Sequence, residues 1–136
     1  MHLIKKEFRF EAAHRLLHHV GKCNNLHGHS YRVVVWIGGD LQVGGPADGM
    51  ILDFGKLSST LGAAVVDLFD HATVLEHYDP LIPVLSAEGV RVVSMSWAPT
   101  AEVMAEHIAN MAAAHSLNAI RVEVWETEKA AAVWER

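Results

Sequence analysis

The sequence predicts an α+β fold, an antiparallel sheet with two helices on one face, and two patterns predict it. Apolar residues alternate near both ends of the chain, at Phe8 and Phe10 and again at Ile120, Val122 and Val124. Alternation of this kind marks strands buried on one side. Two inner stretches repeat at helical spacing instead: Leu57, Leu61, Val65 and Leu68 in one, Val103, His107, Ile108 and Met111 in the other. Laying both apolar stripes on the same sheet face buries them together.

The elements follow in order. HLIKKEFRF (2–10) reads as the first strand, and HSYRVVVWIG (29–38), rich in β-branched and aromatic residues, as the second. Gly38-Gly39-Asp40 supplies turn chemistry, and a glycine-rich loop leads to Met50-Ile51-Leu52, a short strand expected to pair with the second. Asp53 is the expected N-cap of the first helix. Residues 72–89, with two prolines and no clear period, read as a long loop, and RVVSM (91–95) as a strand. Pro99 suits the first turn of the second helix. Residues 130–134 are expected to add a short terminal strand after the one at 120–124.

Bulk properties narrow the function. The 136 residues fit a single domain, 1–136, and 51% hydrophobic residues suffice for a core. A net charge of −5 without a basic block excludes nucleic acid and membrane surfaces as expected partners. One cysteine excludes an internal disulfide framework, and no apolar run reaches membrane-spanning length. The expectation is a soluble, cytoplasmic domain.

The chemistry concentrates in CNNLHGHSY (23–31). Residues two apart on a strand share a side, so His27 and His29 present both imidazoles to one ligand. His14, ending FEAAH, comes alongside if its strand pairs with theirs. Three histidines with an open fourth position form the pattern of a catalytic zinc site. Cys23 has three readings: a fourth ligand, a buried thiol, or a reactive thiolate favoured by Lys22 and a nearby metal. A cupin metal box starts similarly, with Gly21 and then His27-Gly28-His29, but its glutamate is missing from Ser30-Tyr31-Arg32-Val33-Val34. Asp70-His71 is either an exposed helix-end pair or a carboxylate-oriented base. Glu126 is either a solvated strand-end carboxylate or an acceptor for an amino-pyrimidinone edge.

FEAAH (10–14), CNNLHGHSY (23–31), ILDFGKL (51–57), FDHATVL (69–75), PTAEVMAEHI (99–108) and VWET (124–127) occur in one order along the chain. In that order they resemble the 6-pyruvoyl-tetrahydropterin synthase family, most closely its 6-carboxytetrahydropterin synthase branch of queuosine and 7-deazapurine biosynthesis. The resemblance spans nearly the whole chain. It implies the tunnelling fold, a four-stranded antiparallel sheet with two helices on one face that oligomerises into a barrel. It further implies a homohexamer of two stacked trimers with sites between subunits. By motif, His14, His27 and His29 would bind zinc (Zn2+), Cys23 would be the catalytic thiol, and Asp70 and His71 the proton-transferring dyad. Glu126 would anchor the pterin ring, with Thr100 and Glu102 helping to line its pocket.

The implied activity is that of a zinc-dependent lyase converting 7,8-dihydroneopterin triphosphate to 6-carboxy-5,6,7,8-tetrahydropterin, acetaldehyde and triphosphate. The alternatives are 6-pyruvoyl-tetrahydropterin formation from the same substrate, and a non-catalytic zinc-binding module. A further branch carries glutamate in place of the cysteine, which Cys23 argues against. The chain departs from the family in Glu128-Lys129-Ala130-Ala131-Ala132 and in its long segment between His71 and Pro99.

Overall fold

The computed structural model describes residues 1–136. Two long strands, β1 (His2–His14) and β2 (His27–Gly39), form an antiparallel pair in register from His2↔Gly39 to His14↔His27. A helical stretch follows, built from α1 (Phe54–Leu57), a π-helical turn (Ser58–Gly62) and α2 (Ala63–Phe69). Then come β3 (Ala72–Glu76), α3 (Leu81–Ala87), β4 (Val92–Met95), α4 (Ala101–Ala114), β5 (Ala119–Thr127) and β6 (Ala130–Glu135). The six strands make one sheet in the order β4-β3-β1-β2-β5-β6.

The sheet is mixed, which corrects the expectation of four antiparallel strands. β3 pairs parallel with β1 through Ala12–His14, and β4 pairs parallel with β3. The segment expected as a loop, 72–89, therefore folds as β3 and α3, and α3 is the crossover that parallel neighbours require, leading into β4 where a strand was expected. ATVLE is too short to show a period, and Pro80 and Pro83 mask the helix. Pro80 sits at the N-cap and Pro83 in the first turn, where a missing N–H costs no hydrogen bond. Met50-Ile51-Leu52, expected as a strand, is loop backbone. It is tied by Gln42 N donating to Met50 O at 2.9 Å.

The core lies between the sheet and the helices. Phe8, Phe10, Tyr31, Val33, Val35, Val122 and Val124 supply the sheet side; Leu57, Leu61, Val65, Phe69, Met104 and Ile108 supply the helical side. Each fully buried aliphatic or aromatic side chain contributes about 1.5–3 kcal/mol. Asp53 caps α1, its carboxylate accepting from Gly55 N at 2.6 Å and Lys56 N at 3.2 Å. Phe69 rather than half-buried Leu68 ends the apolar stripe, because the π turn advances the helix face by part of a residue. Gly62 lies in that turn, where a Cβ would collide with the Phe8 ring. α4 starts one residue later than expected, with Thr100 as its N-cap and Pro99 outside the helix.

Candidate metal centre

Strand alternation carries Phe8, Phe10, Ala12 and His14 on the core side of β1, and His27, His29 and Tyr31 on the core side of β2. Register places His14 opposite His27, and Ala12 opposite His29. The three imidazoles therefore meet where the apolar face of the sheet ends. Tyr31 floors them, its ring centroid 5.3 Å from His29 and 5.9 Å from His14, and stacks in turn on Phe10 at 5.0 Å. One nitrogen from each histidine lies within 4.8 Å of the others.

The rings are arranged to receive a cation. His14 Nδ1 donates to Pro99 O at 2.7 Å, and His27 Nδ1 donates to Asn25 O at 2.7 Å. Each proton is thereby fixed on Nδ1, which leaves Nε2 as a bare lone pair. Those two Nε2 atoms face each other at 3.1 Å. Two lone pairs repel at that distance unless a positive charge lies between them. His29 Nε2 is buried and has no hydrogen-bond partner, an orphan that a metal bond would satisfy. Burial holds the His14 and His29 rings below the usual imidazole range, against the weaker opposing charge of Glu126. Neutral, tautomer-fixed imidazoles are the form that ligates. The residues fit a metal.

Glu126 faces this cluster, its carboxylate oxygens 3.8 Å from His14 Nε2 and 3.9 Å from His29 Nε2. It continues the parity of Val122 and Val124 on β5 and occupies the register shift between Trp125 and Thr127. A bulge there re-aims a side chain at the end of a ladder. Tyr31, buried beneath, has its hydroxyl pushed far above the usual range by burial and then by the Glu126 charge.

Cys23 reaches the site from the other strand end. The segment between β1 and β2 closes on itself through Leu16 N donating to Cys23 O at 2.8 Å, and Asn24 Nδ2 donating to Leu17 O at 2.8 Å. Gly21, at φ 143°, takes the conformation that opens the short helical turn Lys22–Asn24. Cys23 is a free, partly buried thiol. It lines a cavity of about 380 Å³ together with His14, His19, Thr100, Glu102 and Glu126. Ala130, Ala131 and Ala132, the departing segment, form a methyl wall of the same cavity. Thr100 already uses its hydroxyl as the α4 cap, accepting from Val103 N at 3.2 Å.

Asp70 and His71 stand apart. His71 Nδ1 pairs with Asp70 Oδ2 at 2.9 Å, while Asp70 Oδ1 accepts from Glu11 N at 2.9 Å. The Glu11 N–H and then the His71 partner hold the Asp70 carboxyl below the usual carboxylate range. The His71 side chain is 79% exposed and borders a different cavity, of about 440 Å³, with Glu11, His29, Ser30 and Thr73. No residue lines both cavities. One chain thus gathers His14, Cys23, Glu126, Thr100 and Glu102 around one cavity, while His29 borders the other beside His71.

Sequence reasoning missed the groups that orient the ligands. Asn25 offers its carbonyl two residues before His27, a local relation with a readable spacing. Pro99 gives no such signal, since 85 residues separate it from His14. Arg15 and Asp79, joined by Nε to Oδ2 at 2.7 Å, tie the end of β1 to the start of α3 with equal silence in the sequence.

A family model described as 6-pyruvoyl tetrahydropterin synthase matches residues 3–136. The chain is 35% identical over 132 residues to the 6-carboxy-5,6,7,8-tetrahydropterin synthase of Haemophilus influenzae, covering 93% of this chain and 94% of that protein. It is 49% identical over 72 residues to the enzyme of the same name from Synechocystis, covering 52% of this chain and 56% of that one. Among solved structures, a 6-pyruvoyl tetrahydropterin synthase from Plasmodium falciparum superposes with a TM-score of 0.74 at 19% identity. That superposition covers 99% of this chain and 97% of the other, and establishes the shared α+β fold.

Proposed function

The chain belongs to the 6-pyruvoyl tetrahydropterin synthase family, and from that premise we propose that it is a zinc-dependent 6-carboxy-5,6,7,8-tetrahydropterin synthase. Its substrate is 7,8-dihydroneopterin triphosphate, and its products are 6-carboxytetrahydropterin, acetaldehyde and triphosphate. The reading takes residues 1–136 as one domain acting in the cytoplasm, in the queuosine or 7-deazapurine route. The carrying observation is a cluster of three histidines, two of them tautomer-fixed, whose His14 shares one cavity with a free thiol and a carboxylate. The names of the curated relatives support the carboxy-forming branch.

His14, His27 and His29 would hold the zinc, which would supply Lewis acidity toward the side-chain hydroxyls and the adjoining C–H. Glu126 accepts paired hydrogen bonds from the amino-pyrimidinone edge of the pterin and so fixes the ring. Glu102 and the main chain at Thr100 border the ring. Ala130–Ala132 give the same cavity an apolar side. Cys23, as thiolate, takes the proton from the substrate side chain. His71 returns a proton elsewhere through Nε2, because its Nδ1 is committed to Asp70. One oxygen of the new carboxyl comes from water.

Cys23 and His71 border separate cavities in one chain, which supports a site completed by a neighbouring subunit. The proposal therefore includes a homo-oligomer, a hexamer of two stacked trimers. The deciding experiment incubates the zinc-loaded protein with 7,8-dihydroneopterin triphosphate, identifies the pterin product by mass and couples acetaldehyde to alcohol dehydrogenase. Triphosphate release without acetaldehyde would transfer the chain to the pyruvoyl-forming branch. No release of either would leave a zinc-binding module.

A further inference from the structure

The Asp70–His71 turn is held from two sides, and only one of them belongs to the strand that carries the metal ligands. On that side Glu11 of β1 uses both its backbone groups: its N–H donates to Asp70 Oδ1 at 2.9 Å, and its carbonyl accepts from His71 N at 2.6 Å. On the other side stands Arg91, the residue before β4. Its Nη1 donates to Asp70 O at 2.6 Å, and its Nη2 donates to Asp67 O at 2.6 Å and Leu68 O at 2.9 Å. These three carbonyls are the free acceptors at the C-terminus of α2, where a cation also meets the negative end of the helix dipole.

We propose that Arg91 is a positioning residue for the acid–base dyad, fixing where the His71 imidazole stands by clamping the carbonyls that lead into it. The inference rests on the dyad acting as the proposed function describes. His71 has φ 55°, a left-handed conformation that costs a non-glycine residue on the order of 1–3 kcal/mol. Such a turn persists only when its surroundings hold it. The usual left-handed cap returns its N–H groups to the last helix carbonyls, whereas here Asp70 leaves α2 extended and His71 N donates to Glu11 O, so those carbonyls are left to an external clamp. Arg91 is placed for this by sheet pairing, since its carbonyl accepts from Thr73 N at 3.0 Å beside the Thr73↔Val92 pair of β3 and β4. A lysine lacks the planar fork that reaches several carbonyls together.

Exposure separates positioning from stability. Arg91 is exposed, so water can replace it at the carbonyls and the fold survives its loss. What water cannot supply is a fixed direction. Misplacing a catalytic group by about 1 Å can cost as much as 10²-fold in rate.

The experiment uses the zinc-loaded enzyme with Arg91→Ala, Arg91→Lys and, as a control arginine on β5, three strands away from β3, Arg121→Ala. Arg91→Ala is expected to lower kcat roughly 10- to 100-fold with KM, zinc content and Tm unchanged. Added guanidinium ion should restore part of the loss, Arg91→Lys should fall between, and Arg121→Ala should match the parent. Amide exchange at His71 is the second readout, expected to accelerate in Arg91→Ala alone. Protection at His71 equal to the parent's overturns the proposal, as does a kcat within about twofold of the parent when His71→Ala is inactive. Full activity in His71→Ala would instead remove the assumed role of the dyad. The exchange measurement would then decide alone whether Arg91 holds the turn.

Discussion

The histidine cluster and the Asp70–His71 turn each place imidazole near a carboxylate, yet they are built oppositely. The cluster grows from regular strand alternation on a paired ladder, and His14 is 2% exposed. The dyad grows from a helix end at a left-handed residue, with the His71 side chain 79% exposed. In the first, burial holds His14 and His29 below the usual imidazole range, and hydrogen bonds to main-chain carbonyls orient His14 and His27. In the second, hydrogen bonds to two flanking segments do the fixing, and solvent reaches the ring. Metal ligation needs the former, since a ligand must be unprotonated and immobile. Proton exchange with a substrate arriving from outside needs the latter. Under the proposed function, the contrast teaches that each chemical task falls to the kind of local structure able to meet it.

The largest effects should come from the buried region. His27→Ala and His29→Ala are each expected to lose zinc, and with it all turnover, because three protein ligands are the minimum of an open site. Elemental analysis checks this, and full zinc retention in both would break the assignment. Next, Cys23→Ala should cut turnover by about 10²–10⁴-fold, the worth of a general base, with zinc and Tm intact. Zinc loss in that variant would make the thiol a ligand and extend the buried region by one residue. His71→Ala should likewise lose rate and keep metal.

A smaller effect belongs to recognition. Glu126→Gln should weaken pterin binding by about 1–3 kcal/mol, leaving a donor edge unpaired, with zinc unchanged. Calorimetric titration with a pterin measures it, and equal affinity would assign ring recognition to another group. The smallest effect is acid lability of the exposed turn. Asp70 has a lowered folded pKa, so its contribution is complete above the ordinary aspartate value of about 3.9 and disappears as pH falls through the lower folded value. Hydrogen exchange at Glu11 N–H should report that loss only at acid pH. In Asp70→Asn the step should vanish; a persisting step would show that some other group holds the turn.

Much of this was legible in the residues. Period two gave β1 and β5, β-branched and aromatic composition gave β2, period 3.6 gave the helical stretches, and His-x-His with FEAAH pointed to the three histidines that the structure brings together. Asp53 and Val65 behaved as their local patterns required. The failures have a common cause. β3 is five residues long and buried nearly throughout, so it shows no alternation, and two prolines concealed α3. The strand expected at Met50-Ile51-Leu52 had apolar residues but no ladder to join.

The sequence by itself determined the secondary-structure periods, the candidate metal-binding histidines and the family motifs, because each depends on neighbours within a few positions. Tertiary structure alone decided the parallel addition of β3 and β4 to β1, the Pro99 carbonyl that fixes the His14 tautomer, and the Arg91 clamp beside the dyad. It also decided that Cys23 and His71 face different cavities. These contacts join residues far apart along the chain, and a hydrogen bond or a parallel strand pair leaves no periodic trace in sequence. Its partners are chosen by where the packed core brings them, and that is fixed only once the whole sheet has formed.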